Sequence, residues 1–237
     1  MELIWEGIKQ ALAHILTADS EVLGITLRSL WISGAATLLS LAVGIPIGIA
    51  LALARFPGRS FAVSLINTGM GLPPVVVGLF VSVFLWRSGP LGFLELLYTP
   101  TAMVIAQLII AFPIVAGLTM AAFQTLNPNL RLQLLGIGAS RLQLLWLLSK
   151  EARLPLLAAV MAGFGGVISE VGASMMVGGN IRGQTRVLTT ATVLETGKGN
   201  FEIAIALGLI LLILTFAVNF LLTRRQQREQ IRWPKPS

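Results

Sequence analysis

The stretch SLWISGAATLLSLAVGIPIGIALALA, from Ser29 to Ala54, runs for 26 residues without one ionisable side chain. A hydrocarbon core about 30 Å thick is crossed by roughly 20 apolar residues in a helix, so this stretch reads as a membrane span. Four further runs share its character: Ser60–Trp86, Leu96–Leu130, Leu154–Ile181 and Ile203–Thr223. In the third, Gly89-Pro90-Leu91-Gly92 reads as a turn and places the helix near Pro100–Leu126. The fourth is interrupted only by Glu170. Pro46, Pro73, Pro74 and Pro113 fall inside these runs, and each removes a backbone donor that neighbouring helices must make good. The expectation is an all-α integral membrane protein with five transmembrane helices.

The composition of the 237-residue chain points the same way. Hydrophobic residues make up 55% and charged residues 11%, with a mean hydropathy of +0.85, whereas soluble domains carry about 25% charged residues. The net charge of +7 comes without a basic face interleaved with aromatics. It therefore marks cytoplasmic loops, and no nucleic acid is expected as a partner. With no cysteine and one histidine, His14, no disulfide, catalytic triad or dedicated metal site is expected. There is no Gly-x-x-x-x-Gly-Lys-Ser/Thr phosphate loop, so the chain is not expected to be an ATPase. It is read as non-catalytic and as binding no cofactor of its own.

Residues 1–22 open with Glu2 and Glu6 rather than a basic segment, which argues against a cleavable signal. Ile4, Trp5, Ile8, Leu12, Ile15 and Leu16 fall on one stripe, as in an amphipathic helix on the membrane surface, with His14 on its polar face. Five spans put the termini on opposite sides. With the N-terminus outside, the inner segments hold Arg55, Arg59, Arg131, Arg141, Lys150, Arg153, Arg224, Arg225, Arg228, Arg232 and Lys235. The outer segments hold Lys9, Arg28, Arg87, Arg182, Arg186 and Lys198. Eleven cations against six favour N-out and C-in, which leaves residues 225–237 as a basic cytoplasmic tail on a membrane domain spanning 23–224.

That orientation puts residues 127–153 in the cytoplasm. Asn127-Pro128 reads as an N-cap followed by the first helical residue, and Gly136 and Gly138 interrupt the helix before the apolar stretch Leu142–Leu148 with Trp146. An exposed apolar helix marks a partner surface. The alternative is a helix lying flat on the lipid, with Arg141 and Lys150 at the headgroups.

Gly138-Ala-Ser-Arg141, the apolar helix and Leu154-Pro155 resemble the coupling loop of ABC-importer permease subunits, a Glu-Ala-Ala, three residues, Gly pattern with a later Leu-Pro pair. Two departures stand out: Leu132 occupies the acidic position, and Leu154-Pro155 follows about one helical turn late. Thr26-Leu27 through Ser33-Gly-Ala-Ala-Thr37, Ser40 and Gly44-Ile-Pro46-Ile-Gly48 to Ala54-Arg55 resembles the first core helix of these permeases. Leu72-Pro-Pro-Val-Val-Val-Gly78 with Arg87-Ser-Gly-Pro-Leu-Gly92 resembles the next helix and outer turn in oxyanion permeases. Ser169-Glu170-Val-Gly172-Ala173, followed by Gly179-Asn-Ile-Arg-Gly183-Gln-Thr185, is similar to a block of molybdate, sulfate and tungstate permeases, with Ser169 in place of the commoner glycine. The run from Thr185 to Ala191 and on to Leu194–Glu202 is most similar to the tungstate branch.

The resemblance covers roughly residues 24–224. It implies a type I ABC-importer transmembrane domain with a cytoplasmic coupling helix, importing tungstate or else molybdate or sulfate. The implied partners are a second copy of the chain, two cytoplasmic ATPase subunits that use ATP and Mg, and an extracytoplasmic oxyanion-binding protein. The implied ATPase-coupling residues are Pro128, Arg131, Gly136, Gly138, Ala139, Ser140 and Arg141.

Glu170 is the one ionisable residue deep in a span. An unpaired charge there costs about 3 kcal/mol or more, so it faces protein or water. Two readings stand: a gate or pathway residue, grouped with Gly172 and Ser174, or a structural carboxylate bonded within the bundle. Arg182 and Arg186, with Asn180, Gln184 and Thr185, offer donors for a tetrahedral oxyanion at the outer mouth; ordinary solvated loop charges are the other reading. A secondary transporter would need inverted repeats and more intramembrane charge, and a membrane-embedded enzyme would need paired catalytic groups. The sequence displays neither.

Overall fold

The computed structural model describes residues 5–6, 8–9 and 20–231. Ten helices follow from Ser20: α1 (Ser20–Leu53), α2 (Arg59–Met70), α3 (Pro74–Leu85), α4 (Pro100–Gln124), α5 (Pro128–Gly136), α6 (Arg141–Glu151), α7 (Arg153–Ile168), α8 (Gly172–Gly178), α9 (Leu188–Gly197) and α10 (Phe201–Ile231). No strand occurs among the described residues. The expected surface helix over 1–22, with His14, lies almost wholly outside the described residues. Where it is described, Trp5, Glu6, Ile8 and Lys9 are helical.

Among the described residues, three helices are long and apolar enough to cross a membrane: α1, α4 and Phe201–Arg224 of α10. The other two expected spans, 60–86 and 154–181, are broken rather than straight, and the expected five are reached when each bent helix pair, α2 with α3 and α6 with α7, is taken as one span. The run 60–86 bends by 104° between α2 and α3, where Pro73 and Pro74 follow Gly71 and cannot donate to a continuing helix. The run 154–181 breaks at 169–171 into α7 and the short α8. Beyond the predicted end of the fifth span, α10 continues as a helix to Ile231.

The bundle is organised by α4, which packs against α1, α7, α2, α8 and α3 and is most extensively covered by α1. Gly44 and Gly48 make that closeness possible. A Cβ on Gly48 would lie 2.5 Å from the Ala116 carbonyl oxygen, and one on Gly44 would lie 2.9 Å from Val115 Cγ1. Small residues drive helix association where lipid supplies no hydrophobic push. The main core joins Ile32 and Ala36 of α1, Val77 and Val81 of α3, Met103 and Ile110 of α4, Val167 of α7 and Val177 of α8.

The chain thereby acquires two distinct ends. At one, the start of α1 meets the 179–187 loop and α9, over a cluster of Ile25, Leu188, Ala191, Leu207 and Ile210. At the other, the ends of α1 and α4 meet the α5–α6 hairpin over Ala122, Phe123, Leu144, Leu148 and Ala152. With 34 residues at about 1.5 Å each, α1 is roughly 50 Å long, well beyond a hydrocarbon core of about 30 Å.

Candidate functional site

The break in the fourth span is built around Glu170. Its side chain is 5% exposed. Oε1 accepts the Ala173 amide at 2.6 Å, and Oε2 accepts the Ser174 amide at 2.9 Å and the Ser174 hydroxyl at 2.8 Å. The first amides of a helix have no intrahelical acceptor, and in a bilayer an unmet one is expensive. A carboxylate at this position supplies acceptors for two of them at once. The Glu170 backbone carbonyl accepts the Thr189 hydroxyl at 2.9 Å, tying α9 to the same point. Gly172 sits against Val75 at the start of α3, where a Cβ would approach Val75 Cγ2 to 2.6 Å. The breaks in the second and fourth runs are thus in contact with each other.

Sequence reasoning missed Gln107 of α4. It is 3% exposed, donates through Nε2 to Ser174 Oγ at 3.3 Å, and leaves its Oε1 without a partner. An amide in the middle of the apolar run Pro100–Gln124 was a visible signal for it.

The 179–187 loop continues from α8. Gly179, Asn180 and Gly183 adopt φ values of 69°, 51° and 80°, the left-handed region open to glycine and tolerated by asparagine. Thr185 is fully buried; its hydroxyl donates to the Gly178 carbonyl and accepts the Ile181 amide at 2.9 Å. Asn180 Nδ2 donates to the Thr190 carbonyl at 3.3 Å. Thr185 and Asn180 therefore shape the loop with the groups that had been read as anion donors. Gln184 is exposed.

Arg182 and Arg186 converge on Glu21 at the start of α1, a partner 161 and 165 residues away in sequence that no spacing rule indicates. Arg182 Nε donates to Glu21 Oε1 at 2.8 Å and Nη2 to Oε2. This bond, with the charge behind it, holds the Arg182 pKa above its ordinary value. Arg186 Nη1 lies 3.7 Å from Glu21 Oε1. Arg28, one face along α1, donates to the backbone carbonyls of Arg186 at 3.2 Å and Gly183 at 3.0 Å. Nearby, Asn200 and then Lys198 hold the Glu195 carboxyl below the usual range, aided by Arg186.

At the opposite end the α5–α6 hairpin gathers the seven predicted coupling residues. Pro128 opens α5 behind Asn127, whose side chain accepts the Asn129 amide at 2.9 Å. Arg131 Nη1 reaches the Leu53 carbonyl at the end of α1, at 3.4 Å. Gly136 ends α5, and Gly138 takes φ 84° to turn the chain. The Ala139 amide closes the turn on the Leu134 carbonyl at 3.0 Å. Ser140 then starts α6 with a capping box: its hydroxyl accepts the Gln143 amide while Gln143 Oε1 accepts the Ser140 amide. Arg141 is exposed at the first position of α6. Leu144 and Leu148 face the bundle, whereas Leu132, Ile137, Leu142 and Trp146 are 66%, 80%, 81% and 62% exposed. These four side chains leave apolar area of the hairpin uncovered, with Arg141 exposed beside Leu142 and Lys150 Nζ 5.3 Å from the Trp146 ring centroid.

A family described as "Binding-protein-dependent transport system inner membrane component" matches residues 44–230. The tungstate uptake system permease protein TupB of Peptoclostridium acidaminophilum is 40% identical, over 96% of this chain and 100% of that protein. A probable anion ABC transporter permease protein of Haloferax volcanii is 44% identical, over 87% of this chain and 91% of that protein. A chain of the inward-facing MetNI methionine ABC transporter shares the fold, with a TM-score of 0.69 at 18% identity over 88% of this chain and 95% of that one.

Proposed function

We infer that this chain, which belongs to the family of binding-protein-dependent transport system inner membrane components and is therefore a multi-pass inner-membrane permease subunit, imports a tetrahedral oxyanion, tungstate first. The observation that carries the substrate is the full-length similarity to a tungstate uptake permease. Molybdate and sulfate are the alternatives, to be separated by competition.

In this reading the chain is non-catalytic and binds no cofactor. Two copies form the path, two cytoplasmic ATPase subunits use ATP and Mg, and an extracytoplasmic binding protein delivers the anion. The exposed apolar side chains of α5–α6 support docking of the ATPase there, because a partner would bury Leu142, Trp146 and Ile137, which are exposed in the chain alone. Leu132 is exposed on the same hairpin, so in this reading docking works by apolar burial rather than an ion pair at that position. The excess of cations on the α5–α6 side supports an N-out, C-in orientation.

ATP-driven closure of the ATPase dimer displaces the α5–α6 hairpins. The bundle follows through the buried contacts of Leu144 and Leu148 and the Arg131 bond to α1, opening the path outward for the delivered anion. Hydrolysis resets it. Glu170, Gly172 and Ser174, where two broken spans touch, are the hinge in this scheme. The test is reconstitution of permease, ATPase and binding protein in liposomes. Tungstate uptake that stops when ATP hydrolysis is blocked, with molybdate and sulfate as weaker competitors, is the expected result. Uptake driven by an ion gradient without the ATPase would overturn it.

A further inference from the structure

We propose that Arg186, Arg182 and Glu21 form an acceptor site for a tetrahedral oxyanion at the end of the bundle opposite the α5–α6 hairpin, with the Glu21 carboxylate as a displaceable occupant. The proposal rests on the oxyanion-import reading above and adds to it a waiting position on the permease itself.

Among the described residues four cations, Arg28, Arg182, Arg186 and Lys198, gather near two carboxylates, Glu21 and Glu195, a positive excess at this end. The second observation is the incomplete pairing of Arg186. Its side chain is 18% exposed, yet its Nη1 stands 3.7 Å from Glu21, well beyond the 2.7–2.9 Å of a good charge-assisted bond. Its Nε is buried with no hydrogen-bond partner. Buried donors nearly always find acceptors, and a planar carboxylate shared with Arg182 leaves this one short. A tetrahedral oxyanion carries four acceptor oxygens and a second negative charge, so it can serve both guanidinium groups where Glu21 serves one well. The frame is fixed in advance. Arg28 holds the loop by two carbonyls, and Thr185 holds it by Gly178 and Ile181. Arg28 is thus a positioning residue, and its bonds need not break for the anion to enter.

The phosphate of a lipid headgroup offers the same chemistry, and the experiment separates the two sources. Tungstate is titrated calorimetrically into the detergent-purified permease–ATPase complex, without binding protein, with and without added phosphatidylglycerol. Uptake by the complete transporter in liposomes is measured alongside. Expected is saturable tungstate binding that weakens at least about tenfold in R186Q, is largely kept in R186K, and tightens roughly threefold or more in E21Q, where the competing charge is gone. Thermal unfolding of each variant excludes misfolding as the cause. Wild-type complex that imports tungstate but shows no binding, or binding untouched by R186Q, overturns the site. Displacement of bound tungstate by phosphatidylglycerol at equal concentration assigns the cluster to lipid and overturns the free-anion source. Binding sensitive to R186Q in a complex that imports no oxyanion supports the site and defeats the transport reading instead.

Discussion

The two ends of the bundle solve opposite problems. At the 179–187 end many polar groups are answered from within the chain, Thr185 by Gly178 and Ile181, the Asn180 Nδ2 by Thr190, Arg182 by Glu21 and the α8 amides by Glu170, with Arg186 Nε and Asn180 Oδ1 the exceptions among the described residues. At the α5–α6 end the backbone is capped at Asn127 and Ser140 with equal care, but the apolar side chains are left uncovered. Polar bonds tie the first end largely to itself; at the second, Leu132, Ile137, Leu142 and Trp146 stay exposed in the chain alone. A buried polar group must be met inside the fold because lipid cannot meet it, whereas exposed apolar area can be covered by a partner.

This contrast is open to attack by substitution. The largest effect is expected for Glu170→Leu, which strips acceptors from two buried amides and a hydroxyl at about 1–3 kcal/mol each. A melting transition lowered by many degrees is the expected reading, and Glu170→Gln, which keeps one acceptor oxygen, should fall in between. A Glu170→Leu protein as stable as wild type would show that the first end is not closed by this residue. The Leu142→Asp/Trp146→Asp pair should leave melting nearly unchanged while abolishing ATPase co-purification, a loss of about 2 kcal/mol or more in association. Retained co-purification would remove the hairpin from the docking surface. Ser140→Ala deletes one half of a capping box and should lower hairpin stability by about 1 kcal/mol, visible as faster amide exchange confined to α6. Smallest of all is Arg182→Gln. Its ion pair with Glu21 lies in solvent, where screening leaves such pairs little net worth, so no resolvable shift in melting is expected.

Much of this arrangement was legible in the sequence where the signal is local. The α1 and α4 spans follow from uninterrupted apolar runs, α5 and α6 from Asn127-Pro128 and the Gly136–Gly138 interruption, and α4's start near Pro100 from the Gly89-Pro90-Leu91-Gly92 turn before it. The two broken spans were hidden for different reasons. Pro73 and Pro74 announced a disturbance but not an angle, because a proline removes a bond without specifying the new direction. The 169–171 break lies in a run whose composition stays apolar on both sides, and Glu170 was visible as an anomaly without revealing that it caps its own downstream helix. The Glu21 partnership with Arg182 and Arg186 could not be read at all, since those residues meet only after α1 has packed along α4.

The length of α1 has a further consequence. One end carries Glu21 and Arg28, bonded to the 179–187 loop; the other offers the Leu51 and Leu53 carbonyls to Arg59 and Arg131. A helix that overshoots the hydrocarbon adapts to a thinner bilayer by tilting. Tilt of this rod would carry both sets of attachments with it, so the thickness of the surrounding lipid becomes a mechanical input to each end of the protein.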